Sequence, residues 1–283
     1  MTEPTKHNYL SNKELLKEIH KSKSSFCEFT DPKYDQYDII VPKLKDIFKP
    51  SIQKEARKNR AARLSQAVYR TALEEFEGTP SGKPRLAEYK IDPNSFKDEE
   101  IVYRVMDFEH IPKDPDRKKN PRKESEHYAK LNFKPFKHYI IKRKKAVEVG
   151  RSHSKNGEFC TTHGSMTDKL ARMFILLVDR YSQRANWRGY TYVDEMKGQS
   201  LLQLSQMGLQ FDEAQSDNPF AYYTAAITNS FTRVLNIEKK NQNVRDEILI
   251  DMGQTPSFSK QLEHEAKVRR MREEAAHHDD DNN

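Results

Sequence analysis

The sequence predicts a mainly α fold that carries a small inserted α+β module and a short helical C-terminal tail. Three observations lead to this prediction: apolar residues recur at helical spacing from Thr167 onward, runs rich in β-branched and aromatic residues lie between 101 and 149, and a charged helical segment starts near Ser257. We expect four segments: an N-terminal helix (1–32), a basic α+β expansion (33–165), a helical domain (166–256), and a charged helix with a disordered tail (257–283).

Two helices and three strands are predicted in the first half of the chain. A short amphipathic helix begins with Asn12 as its N-cap. A longer helix over 54–77 has a very basic start and ends at a run of Gly and Pro residues. Strands are expected at 101–108, 139–142 and 146–149, and a charged turn joins the last two.

The second half is predicted to be helical. The clearest helix covers 218–240, where Asn218 is a suitable N-cap and Pro219 suits the first helical turn. Further helices are expected from Thr167, over 192–206, near 243–252 and from about Ser257 to Ala276.

The helix over 218–240 has a polar face that leaves two interpretations open. Its apolar face is Phe220, Thr224, Ile227, Phe231 and Leu235, and its other face is Tyr222, Asn229, Thr232, Arg233, Asn236 and Lys240. Such a polar face can contact the bases and the backbone of DNA together. Alternatively, the cations simply suit the dipole at the C-terminal end of an ordinary amphipathic helix.

The composition favours a basic protein with a polyanionic partner. Fifty Lys and Arg residues against 43 Asp and Glu give a net charge of +7. No apolar stretch approaches the roughly 18–20 residues that cross a bilayer, and the N-terminus does not resemble a secretory signal. Because only two cysteines occur, 133 positions apart, we expect a reducing, cytosolic environment and no membrane partner.

The sequence predicts no catalytic site, no bound metal and no cofactor. It lacks the phosphate-binding loop, the HExxH metal motif and the GxSxG nucleophile motif. His153, Cys160 and His163, with the distant Cys27, form an incomplete zinc set because a second close pair of ligands is missing. A metal nuclease that uses His153, Cys160 and His163 is therefore the remaining enzymatic alternative.

A basic and aromatic segment runs from Tyr128 to Arg151. It holds eight basic residues and one acidic residue, interleaved with Tyr128, Phe133, Phe136 and Tyr139. This pattern suits phosphate neutralisation with base stacking, but the aromatic residues could equally form the module's own core. The candidate accessory nucleic-acid contacts are Lys142, Arg143, Lys144 and Lys145.

Several short motifs in the second half resemble a known family when their order and spacing are taken together. They are Gly189-Tyr190-Thr191, Glu195-Met196, Gly208-Leu209-x-Phe211-Asp212, Asn218-Pro219-x-Ala221-Tyr222-x-Thr224-x-Ala226 and Asn229-x-Phe231. This region resembles conserved region 2 of bacterial sigma factors, most closely the late-transcription sigma factors of T4-like bacteriophages in the longer form of cyanophages. The N-terminal Asn8-Tyr9 and Asn12 to Leu16 are similar to that family's opening.

The resemblance implies a sigma region 2-like helical domain and a role in transcription initiation. Such a protein binds the host core RNA polymerase at the clamp coiled coil, directs it to AT-rich phage late promoters with a −10-like element, and assists promoter opening in the host bacterial cytoplasm. The implied polymerase-binding residues are Glu195, Gln199, Leu202, Gln203 and Gln206. The implied DNA-binding residues are Tyr222, Tyr223, Asn229, Thr232, Arg233, Asn236, Lys239 and Lys240.

The sequence departs from the sigma pattern in three places, one of which is that no recognisable helix-turn-helix region for a −35 element follows residue 256. Ala225 and Ala226 stand where housekeeping sigma factors have a tryptophan pair that separates the strands, so Tyr222 or Tyr223 is the expected wedge. The family also implies a phage sliding clamp and a late coactivator as partners, although the tail from His277 lacks hydrophobic residues for a clamp motif. The alternative function is a generic phage DNA-binding structural or recombination protein.

Overall fold

The fold is mixed α/β. The computed structural model describes residues 10–76, 84–114 and 127–280. Helices form the majority of these residues, but a five-stranded mixed sheet organises the first half of the chain. The prediction of a mainly α fold is therefore wrong. The extent of the sheet was not visible in the sequence because two of the five strands are only three residues long and show no alternating pattern.

The sheet has the strand order β1-β5-β4-β3-β2. Only β2 and β3 run parallel, and the crossover between them contains the second helix of the chain. A separate two-stranded hairpin is formed by β6 and β7. The strands are β1 Cys27–Phe29, β2 Ile39–Val41, β3 Tyr103–Met106, β4 Phe136–Lys142, β5 Lys145–Ser152, β6 Ser154–Lys155 and β7 Glu158–Phe159.

Six α-helices are described. They are α1 Asn12–Ser24, α2 Pro50–Glu74, α3 Asp168–Ser182, α4 Val193–Met207, α5 Pro219–Asp251 and α6 Phe258–Asp280. The N-cap of α1 is Ser11 and not the predicted Asn12, whose side chain instead accepts a hydrogen bond from Phe220 N at 3.1 Å. The helices predicted at 218–240 and 243–252 form the single helix α5. Among the described helices, none is both long and apolar enough to span a bilayer.

The chain divides into two compact units. Unit 1 is Met1–Leu177 with Leu204–Tyr223, and unit 2 is Val178–Gln203 with Thr224–Asn283. The boundary predicted between residues 32 and 33 falls inside unit 1, where β1 pairs with β5 and so brings the N-terminal segment into the sheet. The boundary predicted between 165 and 166 also falls inside unit 1.

One face of the sheet in unit 1 packs against α2. Its apolar cluster is Val41, Ile47, Ala56, Ile101, Tyr103, Val105, Tyr139 and Ile141. Beside it, the fully buried carboxylate of Asp38 accepts hydrogen bonds from Arg63 at 2.5 Å, from Arg60 at 3.3 Å and from Val102 N at 2.9 Å. Because both arginines belong to α2, this carboxylate fastens the helix to the sheet.

The opposite face of the sheet buries an arginine. The guanidinium of Arg104 lies 3.8 Å from the ring centre of Tyr37 and 3.7 Å from that of Phe136. It donates to His138 Nε2 at 3.0 Å and to His20 Nδ1 at 3.3 Å, so both histidines must be neutral acceptors. Burial and the adjacent Arg104 charge hold the pKa of His138 well below its ordinary value, and burial lowers the pKa of His20.

The core of unit 2 is aromatic. The ring of Phe231 lies 5.1 Å from the rings of both Tyr181 and Trp187, and the Tyr181 hydroxyl is 2.8 Å from Thr228 Oγ1. Beyond this core, Gly253 ends α5 at a φ of +69°, where Gly253 N donates to the Ile250 carbonyl and Gln254 N to the Leu249 carbonyl.

Candidate nucleic-acid interface

One face of α5 carries most of the predicted DNA-binding residues. Its exposed members are Asn229, Thr232, Arg233, Asn236, Lys239 and Lys240, all in unit 2. The opposite side of the helix buries Ile227, Phe231 and Val234. Packing of that apolar side therefore fixes which side chains of α5 face the solvent.

The length of α5 argues against the dipole interpretation of its cations. The helix continues to Asp251, so Lys239 and Lys240 lie about three turns before its end. Because the helix dipole acts within the last turn, it does not explain their position. Among the described residues, no carboxylate forms an ion pair with Arg233, Lys239 or Lys240, and these charges are available to an outside anion.

The two predicted tyrosines have different environments, both within unit 1. Tyr223 is fully buried: its hydroxyl donates to the Gly208 carbonyl at 2.5 Å, and its ring lies 4.7 Å from that of Phe174. Burial raises the pKa of Tyr223 above its ordinary value. Tyr223 is thus a core residue and not an exposed wedge or DNA contact, whereas Tyr222 is half-buried. Consecutive residues on a helix point about 100° apart, so Tyr222 can be partly exposed while Tyr223 lies in the core.

The residues predicted to bind the polymerase form an exposed stripe on α4. Glu195, Gln199, Leu202 and Gln206 are exposed, Gln203 is half-buried, and Leu202 is 54% exposed. Met196, Ser200 and Leu204 are buried on the other side. The stripe repeats every three or four residues along the helix and offers one apolar side chain among polar ones.

The basic and aromatic segment 128–151 separates into a buried part and an exposed part. Phe133, Phe136 and Tyr139 are at most 7% exposed, so these rings belong to the core of the module. Lys137 is within 4 Å of Asp107, Glu109 and Glu148, and two further cations of the segment, Lys134 and Arg151, also form ion pairs. The three rings are therefore not available for base stacking, and each of the three cations already has a carboxylate partner.

The remaining cations of this segment stand mainly at the turn between β4 and β5. We call Lys142, Arg143, Lys144 and Lys145 the hairpin tip. All four are exposed, and no described carboxylate forms an ion pair with them. Lys142 and Lys145 lie opposite each other in the register of β4 and β5. The two residues between them have φ values of +49° and +61°. Positive φ at both central positions is the geometry of a type I′ turn, which favours Asn and Gly over Arg and Lys.

The residues of the metal alternative do not gather into a ligand set. Within the described ranges, no group of three or more His, Cys, Asp or Glu side chains is arranged to hold a metal ion. The His153 ring packs 4.3 Å from that of Phe133, His163 packs 5.7 Å from Phe26, and Cys27 donates to the Lys23 carbonyl. Burial lowers the pKa of His153 to about 3. The described residues therefore give no support to the metal nuclease.

Several residues of the sigma-like motifs have structural roles that the sequence did not reveal. A Cβ on Gly208 would lie 2.6 Å from both the Leu204 carbonyl and the Phe174 ring. Asn218 caps α5 by accepting from Ala221 N at 3.1 Å, as predicted. Phe211 packs beside Tyr222 and Tyr223. Asn8 and Tyr9 lie outside the described residues.

Ile237 belongs to the exposed face of α5 and was not predicted there. It is 47% exposed and borders a shallow depression together with Asn229, Arg233 and Lys240. Ile237 lies three positions after the buried Val234, and this spacing is typical of residues on the same buried side of a helix. The pattern of apolar residues therefore did not indicate that Ile237 is exposed.

Comparisons of the chain with protein-family models, curated proteins and solved structures found no match. The resemblance to sigma factors consequently depends on the sequence motifs alone.

Proposed function

We propose that this protein is a sigma-type promoter-specificity subunit, which binds a host core RNA polymerase and directs it to AT-rich phage late promoters in the host cytoplasm. The observation that carries the proposal is the exposed face of α5. There, two amides, one hydroxyl and three unpaired cations follow one another along about 16 Å of helix.

The chemistry of this face suits AT-rich DNA. Asn229 and Asn236 can each donate to and accept from adenine, while Arg233, Lys239 and Lys240 can neutralise phosphates. AT-rich steps unpair at lower cost, so a modest set of contacts can favour the open strands. The hairpin tip offers four further cations to the DNA backbone.

The exposed stripe of α4 supports the polymerase part of the proposal. Leu202 projects an apolar side chain among glutamines and Glu195, a composition that suits a contact with a helical partner through both packing and hydrogen bonds. By the sigma resemblance, that partner is the clamp coiled coil.

Run-off transcription on a TATAAATA-type template with purified host core enzyme tests the proposal. We expect a specific start with the wild-type protein and its loss in the double variant Asn229→Ala, Arg233→Ala. The matched control is Asn243→Ala, Arg245→Ala, which removes the same two residue types about 20 Å further along the same helix. A start that persists in the first variant would contradict the assignment of the α5 face.

Co-purification with core polymerase tests the α4 stripe separately. Leu202→Glu should abolish it, whereas Leu86→Glu, at a leucine that is 40% exposed in unit 1, should not. A protein that binds every duplex equally and never retains polymerase would instead be a generic DNA-binding structural or recombination protein.

A further inference from the structure

A second candidate site lies within unit 1, whereas the exposed face of α5 belongs to unit 2. A depression of about 760 Å³ opens between the segment 129–135 and the loop 210–216. Its walls include Phe108, Lys130, Phe133, Gln210, Gln215 and Tyr222. The volume is within the range of roughly 300–1,000 Å³ that is typical of small-ligand sites. Half of these residues come from the α+β module, which lies outside the motifs that resemble sigma factors.

Two aromatic side chains of this depression are held in place before any ligand binds. Phe108 is stacked on Tyr128 with ring centres 5.0 Å apart and planes 22° apart. Tyr222 is held edge-on by Phe211 at 5.5 Å and by Tyr223 at 5.3 Å. A ligand that stacks on either ring would therefore lose little side-chain entropy of the protein.

The polar groups of the depression suit a nucleotide. Gln210 and Gln215 are exposed and carry both donors and acceptors, which the edge of a base requires. Lys130 is exposed and forms no ion pair with a described carboxylate, whereas Lys134 is held by Asp212 at 3.3 Å. Lys130 is thus the cation free to bind a phosphate. No hydrogen bond within the described residues occupies the Tyr222 hydroxyl.

We propose that this depression binds one unpaired nucleotide of single-stranded DNA, with the base stacked on Phe108 or Tyr222 and its phosphate at Lys130. A base in a duplex cannot enter a concave site, so only an unpaired strand presents the ligand. The inference rests on the proposed function only in taking DNA as the ligand. It gives unit 1 a role in holding the opened strands. Tyr223 cannot have this role because it is buried.

Photo-crosslinking identifies the residues that touch the base. The full-length protein is irradiated with a short oligothymidylate that carries one 5-iododeoxyuridine, and the modified peptide is mapped by mass spectrometry. We expect crosslinks to Phe108 or Tyr222. Crosslinks confined to residues 229–240 of α5 or to the hairpin tip would overturn the proposal, and this experiment needs no variant that could fail to fold.

Binding of the same labelled oligonucleotide, measured by fluorescence anisotropy, tests the side chains. Phe108→Ala should weaken binding about tenfold, because a stacked base contributes strongly to such affinities. The control Phe159→Ala removes a ring that is 37% exposed elsewhere in unit 1 and should leave the affinity unchanged. Lys130→Gln should reduce the salt slope by about 0.7, and Lys155→Gln should not. Equal affinities for wild type, Phe108→Ala and Lys130→Gln would overturn the proposal.

Competition distinguishes a strand from a free nucleotide. Thymidine monophosphate should displace the oligonucleotide only at far higher concentration than unlabelled oligothymidylate does. Displacement at equal concentration would assign the depression to free nucleotides and overturn the proposal. Crosslinking at Phe108 or Tyr222 in a protein that fails to retain polymerase would refute the sigma function and leave this site standing. Retention of polymerase without either crosslink would do the reverse.

Discussion

Replacing the two central residues of the hairpin tip should stabilise the protein and weaken its binding to DNA at the same time. Arg143 and Lys144 both have positive φ, a conformation that costs an ordinary L-residue roughly 1–2 kcal/mol. Asn and Gly adopt it more readily, so the double variant Arg143→Asn, Lys144→Gly relieves this strain. The extra chain entropy of glycine when unfolded offsets part of the gain, and we expect about 1 kcal/mol of net stabilisation.

The same variant removes two exposed cations that no described carboxylate pairs with. If both contact phosphates, the slope of log K against log salt should decrease in magnitude by about 1.8. Thermal unfolding followed by circular dichroism should show a melting temperature higher by about 2–4 °C. Fluorescence anisotropy with a duplex promoter fragment, repeated across a range of salt concentrations, measures the slope.

A charge-only variant separates the two effects. Arg143→Gln, Lys144→Gln removes the same charges but keeps side chains that disfavour positive φ, so the salt slope should decrease without a rise in melting temperature. An unchanged slope in both variants would refute the proposed contact between the hairpin tip and DNA. A lower melting temperature in the Asn-Gly variant would refute the argument from turn geometry.

Three further predictions concern stability. Asp38→Ala should lower the free energy of unfolding by about 3–5 kcal/mol in urea titrations, because it leaves two arginines of α2 without their buried carboxylate; a loss below 1 kcal/mol would contradict this role. Tyr223→Phe should cost about 1 kcal/mol through the lost bond to Gly208 and leave DNA affinity unchanged, and an affinity loss would return Tyr223 to the DNA-binding face. The free energy of unfolding should fall as the pH drops below about 6.5 toward 3, since unfolded His153 takes up a proton that the folded state, with its pKa of about 3, does not. A His153→Gln variant should lose part of this dependence, and an identical pH profile would contradict the assignment.

The α5 face and the mixed sheet illustrate how much the sequence could predict. The polar side of α5 from Asn229 to Lys240 follows from helical periodicity, which is a local property. Phe220 was wrongly assigned to the apolar side of the helix, because it is 38% exposed. The strands at 103–106, 136–142 and 145–152 were predicted approximately, through their β-branched and aromatic residues. β1 and β2 were missed because three residues carry no period, and they exist only through their hydrogen bonds to β5 and β3.

The candidate site depended in several places on distant contacts. Burial of Tyr223 is decided by Gly208 and Phe174, and the depression of unit 1 combines Phe108 with Tyr222, which are more than a hundred positions apart. In the sequence, nothing distinguishes Arg104 from the other basic residues of the predicted strands. Only the packed structure encloses it between two rings and two neutral histidines.

By itself, the sequence determined the positions of the main helices, the cap of α5, the polar face of that helix and the net positive charge, because these follow from local spacing and composition. The tertiary structure decided which cations remain free. Neutralisation of a charge requires a partner within about 4 Å, and that partner can come from any part of the chain. Lys134, Lys137 and Arg151 have such partners, whereas no carboxylate among the described residues forms an ion pair with the hairpin tip or with the cations of the α5 face.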